Sequence, residues 1–566
     1  MEDGAARGAA PKVRQRPEHL ALRDRWRAEG RFGDRSFGAA LVAAAADWPE
    51  AAIVFDDPEH GGRLTVAELL AESRRVAAGL QALGVEPGDA VAIQAPNWIE
   101  LPAAYFGALL AGAVVVPIVH IYGPAEMSYI IRDAEAKVLI VPGRWRSVDY
   151  AERVAGLHDV PSLTNVVVIG EEPGGRFPAH AVAWSDLVSG DRTAPREVEI
   201  DPDDVAVIIY TSGTTGSPKG VQHSHNTLLA EVRGVEALSG SEGREGVVLC
   251  PWPAGHVAGV ISICRTAVTG ATTVIMSHWD PVKAVRLIER YRCTSASGAP
   301  VHLMALMEAA RSEGCDISSL RTFLVGAANV PAAVVEQADA AGIAAFRCYG
   351  SSEHPTVTCS RPDAPPHKRA RTDGPPREGN EVRIVDPSGN DLPAGRVGEI
   401  VTRGPELFLG YRDPRMNAEA FLPGGWYRTG DAGFLDEDGY LTVTDRIKDI
   451  IIRGGENIAS KEVEDILAEH PAVAEAAVVG QPEARLGERV TAFVRLAEGG
   501  SLDLAEVREH FRKAGVARQK TPERIIVVAD LPRTPSGKVR KVDLRGWLRG
   551  GDGPGCTVLS DTGEVG

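Results

Sequence analysis

The chain has 566 residues, 44 % of them apolar and 24 % charged, and its 61 basic and 77 acidic side chains give a net charge of −16. That composition is globular and too long for one compact core, and without a basic track it argues against a nucleic-acid partner. Seven scattered cysteines with no CxxC pair point to reduced thiols in a cytoplasmic setting and away from a zinc site or a disulfide frame.

Residues 1–17 are rich in charge, Gly and Ala, without the apolar core a secretory signal needs, and are expected to be disordered. From 64 the pattern alternates. The stretch 64-LTVAELLAESRRVAAGLQALG-84 has helical apolar spacing, 90-AVAIQ-94 reads as a buried strand, 98-WIELPAAYFGALLAG-112 as a helix and 113-AVVVPI-118 as a strand. Pro117 breaks the one run long enough to suggest a membrane span. Further strands are expected at 137–141, 165–170 and 273–276, the last followed by a helix over 281–291. This alternation predicts an α/β fold of doubly wound sheets, whose ligand sites lie in loops at the carboxyl ends of strands.

After about residue 380 shorter strands and turn signals such as DPSGN and LPAGRVG predict a small β unit. Beyond 445-DRIKDIIIRGG-455, the stretch 460-SKEVEDILAEHP-471 reads as a helix, with Ser460 expected as its N-cap. The expected domains are a large one over 18–445, a small α+β one over 446–548, and a disordered tail over 549–566.

The loop in 205-VAVIIYTSGTTGSPKGVQHSH-225 sets small residues after a strand. Glycine lets backbone N–H groups approach a phosphate, the hydroxyls of Thr211, Ser212, Thr214, Thr215 and Ser217 add donors, and Lys219 adds a positive charge. A polyphosphate suits such a loop, although a lone glycine-rich run is more often a plain surface loop. The spacing does not match GxxxxGK[ST], because Gly220 follows Lys219.

TSGTTGSPKG resembles the signature of the adenylate-forming superfamily, the acyl-CoA synthetases, peptide-synthetase adenylation domains and luciferases. Further segments follow in that family's order: 349-YGSSE-353, 398-GEIVTRGP-405, 427-YRTGD-431, 445-DRIKDIIIRGGENI-458 and 532-PRTPSGK-538. The likeness spans about 35–548. It implies activation of a carboxylate by ATP to an acyl adenylate, then transfer to a thiol, with ATP, Mg²⁺ and CoA as the cofactors. By that resemblance Thr211, Ser212, Gly213, Thr214, Thr215, Gly216 and Lys219 hold phosphates. Glu353, with Thr214, serves Mg²⁺. Tyr349, Gly350, Ser351 and Ser352 border the nucleotide, with Ser352 where the family usually has Thr. Asp431 takes the ribose hydroxyls and Arg446 also contacts the ribose. Ala327, Ala328 and Asn329 replace the usual Gly-Ala-Pro of the adenine wall.

The resemblance also makes Lys448 a hinge between the domains. Lys538 becomes the lysine that bridges carboxylate and α-phosphate, and Gly454, Gly455 and Glu456 line the thiol channel of CoA in a second pose. His256, in 251-PWPAGHVAG-259, would contact the carboxylate or open the thiol channel. Val257 stands where amino-acid-activating relatives place an acid, so the substrate should lack an amine. With 116–140 and GSSEHPT, the likeness is closest to the bacterial ligases for alicyclic and medium-chain acids. Val257, Val260, Gly326 and Ala327 are candidate walls for a compact apolar acid. Two other readings stay open: a ligase that loads a carrier-protein arm, and a non-catalytic adenylate-binding protein, which would have lost one of Lys538, Glu353, Asp431 or Lys219.

Overall fold

In the computed structural model the described residues are 17–171, 174–189, 194–211, 218–238, 245–327, 330–453, 456–483, 485–533, 538–550 and 557–559, and the architecture below refers to these. Ser212, Gly213, Thr214, Thr215, Gly216, Ser217, Ala328, Asn329, Gly454 and Gly455 lie outside them.

Two eight-stranded sheets form the large part of the chain. One runs parallel through Ala52–Phe55, Thr272–Ile275, Val247–Cys250, Ser295–Gly298, Thr322–Val325 and Ala344–Tyr349, with short antiparallel strands at its edges. The other runs parallel from Ala181–Ala183 through Ala90–Ile93 to Val205–Thr211. Between them lie the helices Phe37–Asp47, Val66–Ala82, Glu100–Leu110 and Val257–Thr269. Their apolar faces join inward residues of both sheets, such as Ile53, Ile275, Ile93 and Val207, in one core. Separate cores cover the outer faces.

Local chemistry sets the ends of these elements. Thr65 and Glu68 form a reciprocal capping box at the start of Val66–Ala82, which buries Leu69, Val76 and Leu80 on one face. Asp280 accepts the N–H groups of Val282 and Lys283, and Pro281 follows at the first helical position of Pro281–Tyr291.

An antiparallel unit of Glu381–Val385, Gly398–Arg403, Trp426–Leu435 and Leu441–Arg446 follows, as its turn signals predict. A smaller α+β unit then packs the helices Ser460–Ala468 and Leu504–Lys513 around a sheet centred on Gly487–Leu496.

Two local expectations are corrected. Ser460 is the first helical residue, not the N-cap: its N–H donates to Asp445 and its Oγ accepts from Lys541 Nζ at 2.6 Å, so tertiary partners replace the local cap. Within the tail expected to be disordered, Thr557–Leu559 pairs antiparallel with Arg524–Val527, where the exposed edge of the small sheet supplies unpaired backbone groups.

Candidate functional site

The TSGTTGSPKG motif runs between two antiparallel strands. Thr211 ends Val205–Thr211, Lys219 begins Lys219–Ser224, and the two residues are paired across the ladder. Lys219 Nζ sits 5.3 Å from the centre of the Tyr411 ring, within cation–π range. The Tyr411 hydroxyl donates to Glu353 Oε1 at 2.7 Å and lies 3.3 Å from the Tyr427 hydroxyl. One buried tyrosine thus joins the lysine of one motif to the carboxylate of another. Burial, and then the Glu353 charge, raises the Tyr411 phenol far above its ordinary value, so it stays a donor.

The loop carrying Glu353 is held by its backbone. Ser351 N–H donates to His354 O at 2.9 Å, and Glu353 O accepts from Phe408 N–H at 2.8 Å. His223 Nε2 donates to Ser352 O at 2.7 Å, and burial holds its ring neutral with a pKa of about 4. Gly350 tolerates no side chain: a Cβ there would stand 1.8 Å from Pro355 O.

Asp431 and Arg446 are cross-strand partners whose side chains meet at 2.8 Å. Tyr349 Oη donates to Asp431 Oδ2 at 2.6 Å. Burial raises the Asp431 carboxyl, outweighing the downward pull of Arg446 and Tyr349. The fixed acceptor therefore sits in a place costly for a charge.

Lys538 approaches from the small unit. Its side chain is exposed, and the crowding of nearby protein groups, followed by the Arg446 charge, lowers the ammonium against the opposing pull of Asp431 and Glu353. His256 precedes helix Val257–Thr269 and has no side-chain cap bond. Its Nε2 is buried without a partner among the described residues, and burial, with the nearby Lys538 charge, brings its pKa to about 4. Four of the expected residues, Lys538, Asp431, Glu353 and Arg446, thus share one electrostatic field, with His256 at its edge. Lys448 lies in the turn Ile447–Asp449, next to an Asp449–Arg545 ion pair at 2.6 Å that ties this turn to helix Lys541–Gly550. Glu456 is exposed, and the adjoining Arg453 turns to Glu523 at 2.7 Å within the small unit.

Ala327 has φ +65°, the left-handed region where its place in the resemblance calls for glycine. Gly326 N–H donates to Gly298 O at 3.1 Å, and a Cβ at Gly326 would meet Cys348 Sγ at 2.6 Å. Of the expected acyl walls, Val257 is half-buried, whereas Val260 is packed in the core between the sheets and faces no cleft, as helical spacing dictates for that position. Tyr411, Tyr427 and His223 were absent from the sequence-based set. Tyr411 stands in a GY pair just after GPELFL, a weak signal, and His223 lies in the strand after Lys219.

Two doubly wound sheets, a β unit and a small α+β unit that meet over one charged cleft define a two-domain α/β enzyme architecture. The chain belongs to the AMP-binding enzyme family: the family model for the AMP-binding enzyme matches residues 41–412 and that for its C-terminal domain residues 462–538. It is 35 % identical over 525 residues to the medium-chain fatty-acid–CoA ligase of Escherichia coli (strain K12), covering 92 % of each chain. It is also 35 % identical over 572 residues to the 2-hydroxy-7-methoxy-5-methyl-1-naphthoate–CoA ligase of Streptomyces carzinostaticus, covering 96 % of this chain and 98 % of the relative. The crystal structure of ATP-bound MatB from Rhodopseudomonas palustris superposes with a TM-score of 0.81 at 30 % identity, covering 91 % of this chain and 99 % of MatB.

Proposed function

We propose that the chain is an AMP-forming acid–thiol ligase. A carboxylate oxygen of the acid attacks the α-phosphorus of ATP, the bond to pyrophosphate breaks, and an acyl adenylate forms. The thiol of CoA then attacks the acyl carbon, its proton passes to solvent, and AMP leaves with the C–O electron pair. The observation that carries this reading is the placement of Lys538, from the small unit, in the field of Asp431, Glu353 and Arg446.

In this reading Lys538 bridges the carboxylate and the α-phosphate, lowering the repulsion between two anions as they meet. Asp431, fixed by Tyr349 and Arg446, accepts the ribose hydroxyls. Lys219 and the loop after Thr211 hold the outer phosphates. His256, neutral through burial, borders the carboxylate. The turn at Lys448 is the hinge about which the small domain, from about residue 446, rotates to bring the 453-RGGEN-457 motif to the thiol.

No group of three His, Cys, Asp or Glu side chains that could hold a metal occurs among the described residues. A single carboxylate, Glu353, with one oxygen committed to Tyr411, fits Mg²⁺ that arrives with most of its shell as phosphate oxygens and water. Bound there, Mg²⁺ would offset phosphate charge, and Glu353 would orient it.

The acid is a compact apolar one without an amine, alicyclic or of short to medium chain, facing Val257 and Gly326. No helix among the described residues is long and apolar enough to cross a membrane. The scattered cysteines without a CxxC pair support a cytoplasmic setting. The test is AMP release from MgATP, with and without CoA, across acetate, octanoate, cyclohexanecarboxylate, benzoate, palmitate and several amino acids. CoA-dependent AMP release with a compact apolar acid supports the reading. Pyrophosphate release that CoA does not convert to thioester moves the acceptor to a carrier-protein arm, and no release with any acid refutes the activity.

A further inference from the structure

Directly beneath the Glu353 loop lies a cluster of buried ionisable groups that the proposed chemistry does not use. Arg377 Nη1 pairs with Glu231 Oε2 at 2.7 Å and Arg377 Nη2 with Glu406 Oε1 at 3.2 Å; all three side chains are almost wholly buried. Glu231 Oε1 accepts from Thr356 Oγ1 at 2.6 Å. Arg377 Nη1 also donates to Thr356 O at 3.3 Å, and Asn380 Nδ2 donates to Thr356 O and Val357 O, each at 3.2 Å. His354, the residue after Glu353, is buried with Nε2 3.2 Å from Asn380 Oδ1 and 3.7 Å from Glu406 Oε2.

The cluster grips the loop from both ends. Thr356 and His354 follow Glu353 in the chain, while Glu406 stands two residues before Phe408, whose N–H holds Glu353 O, and five before Tyr411, whose hydroxyl holds Glu353 Oε1. Helix His225–Leu238 contributes Glu231, and makes room for the guanidinium with Gly234: a Cβ there would stand 1.4 Å from Arg377 Nη2. A glycine inside a helix lowers its stability, so this space is kept against local preference. Two carboxylates and one guanidinium in full burial are a poor source of stability compared with apolar side chains of the same volume. What such a network offers is directional fixation of the backbone attached to it.

We propose that Glu231, Arg377 and Glu406, acting through Thr356 and His354, are positioning residues that set the Glu353 carboxylate at the phosphate-bound cation. The inference rests on the reading of Glu353 given above. Replacing the three together by apolar residues separates position from stability.

The experiment compares wild type, the triple variant Glu231→Met/Arg377→Met/Glu406→Met, the single Thr356→Val, which keeps the Glu231–Arg377 ion pair and removes only the hydroxyl bond to Glu231 Oε1, and Glu353→Gln. Binding of Mn²⁺ with α,β-methylene ATP is read from the free-Mn²⁺ electron paramagnetic resonance signal, alongside the thermal midpoint. The expected result is a midpoint within a few degrees of wild type and a half-saturating Mn²⁺ concentration raised about tenfold in the triple variant and a few-fold in Thr356→Val. Thiol transfer from a supplied acyl adenylate should stay within twofold. Wild-type Mn²⁺ binding in folded Thr356→Val and triple variants, with Glu353→Gln impaired, overturns the positioning role alone. If the triple variant does not fold, Thr356→Val decides. Unchanged Mn²⁺ binding in Glu353→Gln overturns the reading of Glu353 and this inference with it.

Discussion

Asp431 and Arg446 face each other across adjacent antiparallel strands and their side chains meet at 2.8 Å, the carboxylate buried and the guanidinium half in solvent. The pair fixes one carboxylate oxygen, and Tyr349 fixes the other at 2.6 Å. Asp431→Asn keeps the shape but replaces an anionic acceptor. We expect the KM for ATP to rise roughly 30-fold, the equivalent of about 2 kcal/mol for a charge-assisted hydrogen bond, with a smaller change in the KM for the acid. Steady-state kinetics with each substrate varied checks this, and an unchanged KM for ATP would remove Asp431 from the nucleotide site.

The buried histidines make stability depend on pH over a defined window. Burial holds His223, His225 and His256 at a pKa of about 4, with Lys538 adding to the effect on His256. His225 Nδ1 already accepts from Phe37 N–H at 3.2 Å, a bond that a protonated ring cannot make. In the unfolded chain these rings take up a proton near pH 6.5. Between about 6.5 and 4 the unfolded state therefore binds more protons, and stability falls as pH is lowered, by up to about 1.4 kcal/mol per pH unit for each ring. Above about 6.5 the contribution is fully present. Thermal midpoints at constant ionic strength from pH 7.5 to 4.5 measure it, and a flat profile would contradict it.

Ala327 pays for its left-handed backbone at φ +65°. Ala327→Gly relieves about 1–2 kcal/mol of steric cost against about 0.5–1 kcal/mol of added freedom in the unfolded chain. A net gain of roughly 0.5–1 kcal/mol is the expected outcome, seen as a rise of about one or two degrees in the thermal midpoint. A lower midpoint would show that the methyl group contributes a contact outweighing the strain.

Elements with strong periodicity were legible in the sequence. The helix expected over 281–291 is Pro281–Tyr291, and the strands expected at 137–141 and 165–170 appear as Ala136–Pro142 and Asn165–Ile169, because the helix buries one apolar face and the strands, buried on both faces, are continuous apolar runs. Turn chemistry likewise marked the β unit after 380. In the site, residues carried by a spaced motif could be named, and Lys538, Asp431, Glu353 and Arg446 do come together. What joins the motifs could not be named. Tyr411 meets Glu353 across 58 positions and Arg377 meets Glu231 across 146, and no local pattern encodes such a pair. Ser460 misled for the same reason, its cap being replaced by Asp445 and Lys541 from outside its own helix.

The most direct test of the two-step account is Lys538→Ala, assayed in each half-reaction. The account predicts that acid-dependent exchange of pyrophosphate into ATP falls at least about a hundredfold, the scale of removing one preorganised charge stabiliser, while transfer from a supplied acyl adenylate to CoA stays within a few-fold of wild type. Equal loss in both half-reactions, or exchange that survives, would contradict it.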